Sequence, residues 1–415
     1  VTNCVQLFEI EACKPPTAVS ISGVILELTP MDTSGDGQAD IAMAQIGVQQ
    51  LGFNSYHACG YDVFLSFDEN DLSDSIAVFD CSDVGIQELT IWVTDEKGRK
   101  DFLRTYVAVQ DNQLFCGNDP GPIFPIAGSI SSTSGMAMSS TEVEMDGDTY
   151  FSVMTNDKGQ YDFPEMPEGG SYEITPSNDK EPLNGVSTFD ILMIQQFVLG
   201  LNDFNNPLDH IAADVDNNGK VTGKDIIELR KTILGYQNNF PDNTSWRFVD
   251  QQFTFSSGDP LKQNFPETYE INGLNTSMEI DFTAVKVGDV NGSAQLSGKS
   301  VEGRSQDMFW TLKDVPFQEG QEVQIPVYAQ EDLEELFGFQ WAISANDRFL
   351  EITGITPGQL EVTSDQIHMD ETGLKVSWVD ATGIKLEQGA PLFYLTAKAM
   401  ANGKTSFALY VTEDL

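Results

Sequence analysis

The residues best placed to do chemistry lie at 214–225, which read DVDNNGKVTGKD. Oxygen-bearing side chains fall at loop positions 1, 3 and 5 as Asp214, Asp216 and Asn218. Gly219 stands at position 6, where such a loop turns sharply. Lys220 at position 7 offers its backbone carbonyl, Thr222 at 9 ligates directly or through water, and Asp225 closes the loop at 12. This is EF-hand spacing with Asp in place of the usual terminal Glu. Calcium is a hard cation that takes six to eight oxygens, and this spacing wraps them around one point. The same residues would also make a solvated acidic turn. The agreement of six positions and the glycine favours calcium.

The loop must be positioned by the segment on its C-terminal side. Ile226, Leu229, Ile233 and Leu234 recur at helical spacing, and Gly235 stands where a left-handed cap belongs. The text is duplicated: VSTFDILMIQQFVLG at 186–200 aligns with VTGKDIIELRKTILG at 221–235. Ser187 aligns with Thr222, Asp190 with Asp225, and Gly200 with Gly235. This duplicated loop–helix unit over 179–237 resembles the type I dockerin, a small calcium module that docks onto cohesin domains. Its first half departs from the pattern, with Leu183 at position 5 and Asn184 where Gly belongs. GDVNG at 288–292 begins as a dockerin loop often does, yet no helical period follows it. One reading is that Asp289 and Asn291 fold back and supply the oxygens that the first loop lacks. The alternative is an ordinary Asp-Asn-Gly turn.

The rest of the chain reads as β-rich segments around this unit. Over 1–116, ELTIWVTD and FLRTYVAVQD alternate apolar residues on either side of a DEKG turn, as an antiparallel hairpin does. About 100 residues of such text suits an immunoglobulin-like sandwich. ACGYDVFLSF, FDCSD and IWVTDEKGRKDF resemble an Ig-like domain of large surface proteins exported by the type IX system. A further half-motif, DTSGDGQAD, spaces Asp32, Ser34, Asp36, Gln38 and Asp40 as oxygen ligands around Gly37, but position 12 is Met43. It is read as a second calcium loop or as an acidic glycine turn between strands.

Residues 122–178 form a small all-β unit that resembles the transthyretin-like or carboxypeptidase-regulatory sandwich. Residues 238–295 read as β hairpins packed beside the dockerin-like unit. A Gly/Ser-containing connector leads to 308–415, where QEVQIPVYA, LFGFQWAIS, LKVSWVDATG, PLFYLTAKA and SFALYV read as strands. GFQWAISANDRFLEITGI and PLFYLTAKA resemble a cohesin domain in order and spacing. The expected fold class is mainly β and multidomain, with β-sandwiches flanking a small α-helical EF-hand-type module.

The five cysteines, Cys4, Cys13, Cys59, Cys81 and Cys116, all lie in the first third. With no C-x-x-C present, they suggest disulfides and an oxidising exterior. Cys59–Cys81 is the preferred bridge, because the two flank a strand-rich hairpin. The odd count leaves one thiol over.

Net charge is −42, from 22 basic and 64 acidic residues. Such a surface disfavours nucleic acid and anionic membranes, both of which need basic patches. It suits divalent cations and a saline or calcium-rich exterior. No apolar run is long enough to span a membrane. The chain opens at Val1 without a signal peptide, as a processed piece of a larger protein would. His57, His210 and His368 form no metal motif, and nucleophile-elbow, P-loop and dinucleotide fingerprints are absent. Paired carboxylates leave glycoside hydrolysis formally open, but no segment has the length or α/β alternation such enzymes usually show.

Asn243, Asn275 and Asn291 begin N-glycosylation triplets, and Asp74-Ser75-Ile76 resembles a short O-glycosylation motif of bacteria that use type IX export. The expectation is a non-catalytic, secreted, cell-surface adhesion or structural segment stabilised by Ca2+. It would work through protein–protein contacts, self-association among them, with surface glycans as a further partner class. The alternatives are a subunit of a self-assembling filament or sheath joined by cohesin–dockerin-like head-to-tail contacts, and an accessory region of a large polysaccharide-degrading enzyme.

Overall fold

A computed structural model describes residues 15–411 except 22, 59, 117–121, 149, 257 and 297–309. The chain is mainly β and divides into two compact units. The first comprises residues 1–130, 139–176 and 268–282, and the second 131–138, 177–267 and 283–415.

In the first unit, Gly85–Asp95 and Lys100–Gln110 form the expected hairpin, in register from Gly85↔Val109 to Thr94↔Lys100. Asp95 locks its turn. Its buried carboxylate accepts from the Lys97 and Arg99 N–H groups and from Arg99 Nε at 2.7 Å. Val63–Ser66 pairs antiparallel on one side of the hairpin and Val24–Glu27 parallel on the other. A second sheet joins Thr29–Met31, Ile41–Gly47 and Ile76–Phe79. The one-turn helix α1 (Val48–Leu51) follows its central strand. Ile91, Val93, Val107 and Val109 alternate inward from the first sheet to meet Ala42, Ile46 and Phe79 from the second, and Val48 and Leu51 of α1 complete this core.

Cys81 is bonded to Cys116, with Cα atoms 5.3 Å apart. This corrects the Cys59–Cys81 expectation. Flanking a hairpin in sequence does not bring two Cβ atoms together, whereas the end of Lys100–Gln110 returns the chain past the short turn at Cys81–Asp83. Cys4, Cys13 and Cys59 lie outside the described residues.

The same unit contains a smaller pair of sheets. Ile123–Ser132 pairs with Gln160–Pro167 and Met278–Glu279, and Glu142–Gly147 pairs with Phe151–Met154. Tyr172–Ser177 pairs with Tyr269–Ile271. Residues 268–282, read from sequence as part of an annex to the helical module, thus complete sheets with segments about 100 to 150 residues earlier. The buried Tyr161 hydroxyl donates to the Ile280 carbonyl at 2.7 Å, and Asp281 accepts from the Ser129 N–H and hydroxyl.

The second unit holds helices α2 (Thr188–Val198), α3 (Pro207–Ala213) and α4 (Gly223–Leu234). Each opens with a capping box: Ser187 with Asp190, Asn206 with Asp209, and Thr222 with Asp225. Gly235 ends α4 in the left-handed conformation, φ 80°. Ile191, Ile194, Ile211, Leu229 and Ile233 share a core with Val249, Val285, Val287 and Val290.

The C-terminal sandwich has its own core. One sheet joins Trp310–Leu312, Glu322–Ala329, Pro391–Ala399 and Leu350–Pro357. The other joins Ile367–Asp370, Gly373–Leu386, Leu333–Ala345 and Leu409–Val411. SFALYV, expected as one strand, is the one-turn helix α5 (Thr405–Ala408) followed by Leu409–Val411. Trp378 is buried in this core and donates from its indole to Glu361 O. Among the described residues no helix is long and apolar enough to cross a membrane.

The bridge closes a 35-residue separation. Replacing Cys81 with Ser should destabilise the first unit by about 4 kcal/mol on a loop-entropy estimate. A denaturant titration of that variant against the parent chain checks this; an unchanged midpoint would show that the bridge contributes no stability.

Candidate metal centre

The contiguous loop lies between α3 and α4, and helix capping sets its geometry. Asp214 is the C-cap of α3 and Thr222 the N-cap of α4. Asn217 and Gly219 take positive φ, 51° and 77°, which bends the chain back on itself. Asp214 accepts from the Asn218 N–H through Oδ1 (2.9 Å) and from the Gly219 N–H through Oδ2 (2.8 Å). Asp225 accepts from the Asp216 N–H through Oδ1 (3.2 Å), and through Oδ2 from the Thr222 N–H (2.7 Å) and hydroxyl (3.2 Å). Asn243 holds the loop from behind, donating its amide to the carbonyls of Asp214 and Val215. Nothing in the spacing of the sequence marked Asn243 for this role.

Carboxylate oxygens of Asp214, Asp216 and Asp225 lie within 4.8 Å of one another, and all three side chains are buried. Asp216 is 6% exposed, and its Oδ1 accepts no hydrogen bond. A buried carboxylate oxygen without a donor carries a large desolvation cost unless a cation meets it. Asp216 Oδ2 lies 2.6 Å from the Lys224 ammonium. Burial pushes Asp216 up, but the Lys224 ammonium together with the Asn218 and Asp225 side chains outweighs it, and the net shift is downward. Burial pushes Asp214 above its ordinary range, against the opposing Gly219 and Asn218 N–H bonds. Asp225 is pushed up to about 6 by burial, reinforced by the charges of Asp216 and Asp214. Three carboxylates held together against this cost make an oxygen-rich site for a hard divalent cation.

A second arrangement uses two distant segments. Residues 289–295 fold back against 184–190. Asp289 accepts from the Ser293 N–H through Oδ1 (3.1 Å) and from the Ala294 N–H through Oδ2 (2.7 Å). These are the N–H groups four and five residues on, as at Asp214. Asp190 accepts from the Ser187 N–H (2.9 Å) and hydroxyl (3.0 Å) through Oδ2, as Asp225 does from Thr222. Its Oδ1 accepts from the Val290 N–H and the Asn291 amide. Asn184 pairs in both directions with the backbone of Gln295. Gly185 permits the approach: with φ 76°, a Cβ there would collide with the Ala294 backbone. Burial, then the charge of Asp289, pushes Asp190 up to about 7. The buried Lys286 ammonium donates to the carbonyls of Pro182, Ser245 and Val287, and burial pulls it down to about 7.

The comparisons with known proteins add little to this geometry. No family model matches the chain, and no curated protein matches it. Among solved structures, the major pilin BcpA of Bacillus cereus is 12% identical, with TM-score 0.13 over 22% of this chain and 26% of that one. A form of the same pilin with one residue substituted is 11% identical, with TM-score 0.17 over 71% of this chain and 60% of that one. A C-terminal fragment of the Lactobacillus rhamnosus GG pilus adhesin SpaC is 8% identical, with TM-score 0.14 over 39% of this chain and 76% of that one. Likenesses of this size carry no argument about function.

The remaining residues picked out from sequence lie elsewhere. Asp32, Ser34, Asp36, Gln38 and Asp40 make an exposed turn between Thr29–Met31 and Ile41–Gly47. Asp32 accepts from the Gly35 and Gly37 N–H groups, Asp40 from Thr33 and Ser34, and Asp36 from Gln38. Their carboxylates cap their own turn. His57 is buried beside Asp95 and Arg99, His210 packs against Phe197 and Phe204, and His368 lies tilted against Tyr236.

The sign of the pH dependence follows from the raised carboxylates. In the ion-free fold Asp225 and Asp190 hold protons up to about pH 6 and about pH 7, above their unfolded values. Their ionisation therefore lowers ion-free stability as pH rises through that window, and a bound cation offsets the loss. The stabilisation produced by millimolar calcium should be larger at about pH 7.5 than at about pH 5.5 on this linkage. Melting curves with calcium or chelator at both pH values measure it; a gain that is equal or larger at the lower pH would contradict the assignment.

Proposed function

We propose that this chain is a non-catalytic, calcium-stabilised segment of an extracellular surface protein, serving adhesion or structure. The observation that carries this reading is the buried Asp214–Asp216–Asp225 set, with one Asp216 oxygen left without a donor. Calcium at that loop fixes the junction between α3 and α4. In this reading α2–α4 form a dockerin-like module, and residues 288–295 complete its first loop. The C-terminal sandwich is cohesin-like, and the parent protein is a multidomain surface protein of the type IX-exported kind. The acidic surface and the Cys81–Cys116 disulfide fit a calcium-rich, oxidising exterior.

Sites in extracellular modules hold calcium with dissociation constants of about 10⁻⁴–10⁻³ M. At ten times the dissociation constant one site adds about 1.4 kcal/mol to the folded state. Isothermal titration with calcium should show binding that Asp216→Ala reduces by about one ion per chain. Asp289→Ala should remove about one further ion if the split loop also ligates. A parent chain that binds no calcium, and melts identically in chelator, would overturn the reading. An unchanged stoichiometry in Asp289→Ala alone would remove only the split site.

A second reading, a subunit of a self-assembling filament or sheath, is favoured by one specific observation. The helical pair and the C-terminal sandwich, whose resemblances suggest docking partners, do make contact in this structure, within one chain.

A further inference from the structure

Each of the two acidic arrangements has a lysine beside it, and the two lysines differ in freedom. Lys286 is buried, its ammonium donating to three backbone carbonyls and facing the Phe240 and Trp246 rings. Lys224 is the second residue of α4, one place before Asp225, and its ammonium lies 2.6 Å from Asp216 Oδ2. The Lys224 side chain is 58% exposed and that of Asp216 1% exposed, so the lysine reaches a buried oxygen from solvent. Asp214 and Asp225 are met by backbone N–H groups, and Asp225 by the Thr222 hydroxyl as well. Asp216 is met by a full charge instead, while its Oδ1 accepts no hydrogen bond.

An ionised carboxylate buried in this way needs a countercharge. The ammonium supplies one charge and leaves Asp216 Oδ1 unmet, whereas a divalent cation among the Asp214, Asp216 and Asp225 oxygens would meet all three acids. Two cations on one buried carboxylate repel, because like charges a few ångströms apart there are little screened. The tethered ammonium therefore competes with a free ion, at an effective concentration set by its own stem. It also has somewhere to go. Glu228 stands four residues on in α4, the spacing at which a helix sets opposite charges side by side. Lys224 is held above its ordinary pKa by the bond to Asp216 and the charge of that carboxylate, with the charges of Asp242 and Glu228 adding to it.

We propose that Lys224 is a built-in countercation of the 214–225 loop: it holds Asp216 in the ion-free fold, yields that carboxylate to calcium, and so sets the calcium concentration at which the loop fills. The displaced ammonium turns to solvent beside Glu228 and Asp242. The inference rests on the calcium reading and assigns the affinity of that site to a residue outside its ligand set.

The test uses the full chain and two variants, Lys224→Gln, which removes the charge, and Lys224→Arg, which keeps it. Calcium titration should show the same number of ions in all three. Lys224→Gln should bind about fivefold tighter, the weight of one solvent-facing ion pair, and Lys224→Arg should stay close to the parent. In chelator Lys224→Gln should melt below the parent, because Asp216 loses its countercharge. A second readout needs no variant. Acetylation by N-hydroxysuccinimidyl acetate, followed residue by residue by mass spectrometry, should reach Lys224 faster in millimolar calcium than in chelator, with Lys385 of the C-terminal sandwich as internal reference. Equal or weaker calcium binding by folded Lys224→Gln would overturn the inference and make the ammonium a support for Asp216 rather than a competitor. So would labelling of Lys224 that calcium leaves unchanged. Failure of the calcium reading looks different: neither the parent nor Lys224→Gln then binds calcium, and the inference falls with it.

Discussion

The second unit depends on one electrostatic constraint: carboxylates are buried where water cannot solvate them. Asp190, Asp214, Asp216, Asp225 and Asp289 are all nearly inaccessible, with Lys286 buried and Lys224 reaching in from solvent. An ionised carboxylate in such a place needs N–H donors, a cation or a proton. The backbone supplies donors to Asp190, Asp214, Asp225 and Asp289 in one repeated pattern, and Asp216 keeps one oxygen unmet. Charge density and loop shape thus answer to the same burial constraint.

The constraint propagates through the helices. Asp190 and Asp225 are at once loop-closing acids and the third helical residues of α2 and α4, so each loop fixes where its helix begins. Thr188, one residue beyond the N-cap of α2, makes the buried contact with Gln340 and Ser377 of the sandwich. Order in the split loop, the start of α2 and the seating of the sandwich therefore all meet in the first turn of α2. The buried guanidinium of Arg230 anchors the other end of the same interface.

Local periodicity and capping chemistry were legible in the sequence. The hairpin around DEKG, the helices after each VST and VTG, the left-handed Gly235 and the contiguous loop all rest on contacts within about two dozen residues. Long-range pairing was not legible. Cys81 meets Cys116 because a strand returns the chain, and Tyr269–Ile271 joins Tyr172–Ser177 although the two read as different modules. SFALYV, apolar enough for a strand, folds its first residues as a helical turn; Thr405 there hydrogen-bonds to Lys313 O and accepts from the Val315 N–H.

The sequence by itself determined the residue types and their spacing at 214–225, because Asp214 and Asp225 bond to backbone N–H groups within those twelve residues. It also exposed a half-loop at 184–190 and a half-loop at 288–292, each short of ligands. Only the tertiary structure decided that these halves meet, since Gly185 and the fold-back of 289–295 must bring together groups about a hundred residues apart. It likewise decided that the helical pair and the sandwich touch within one chain. Side-chain chemistry specifies what a surface can hold; the path of the backbone specifies which surface arrives.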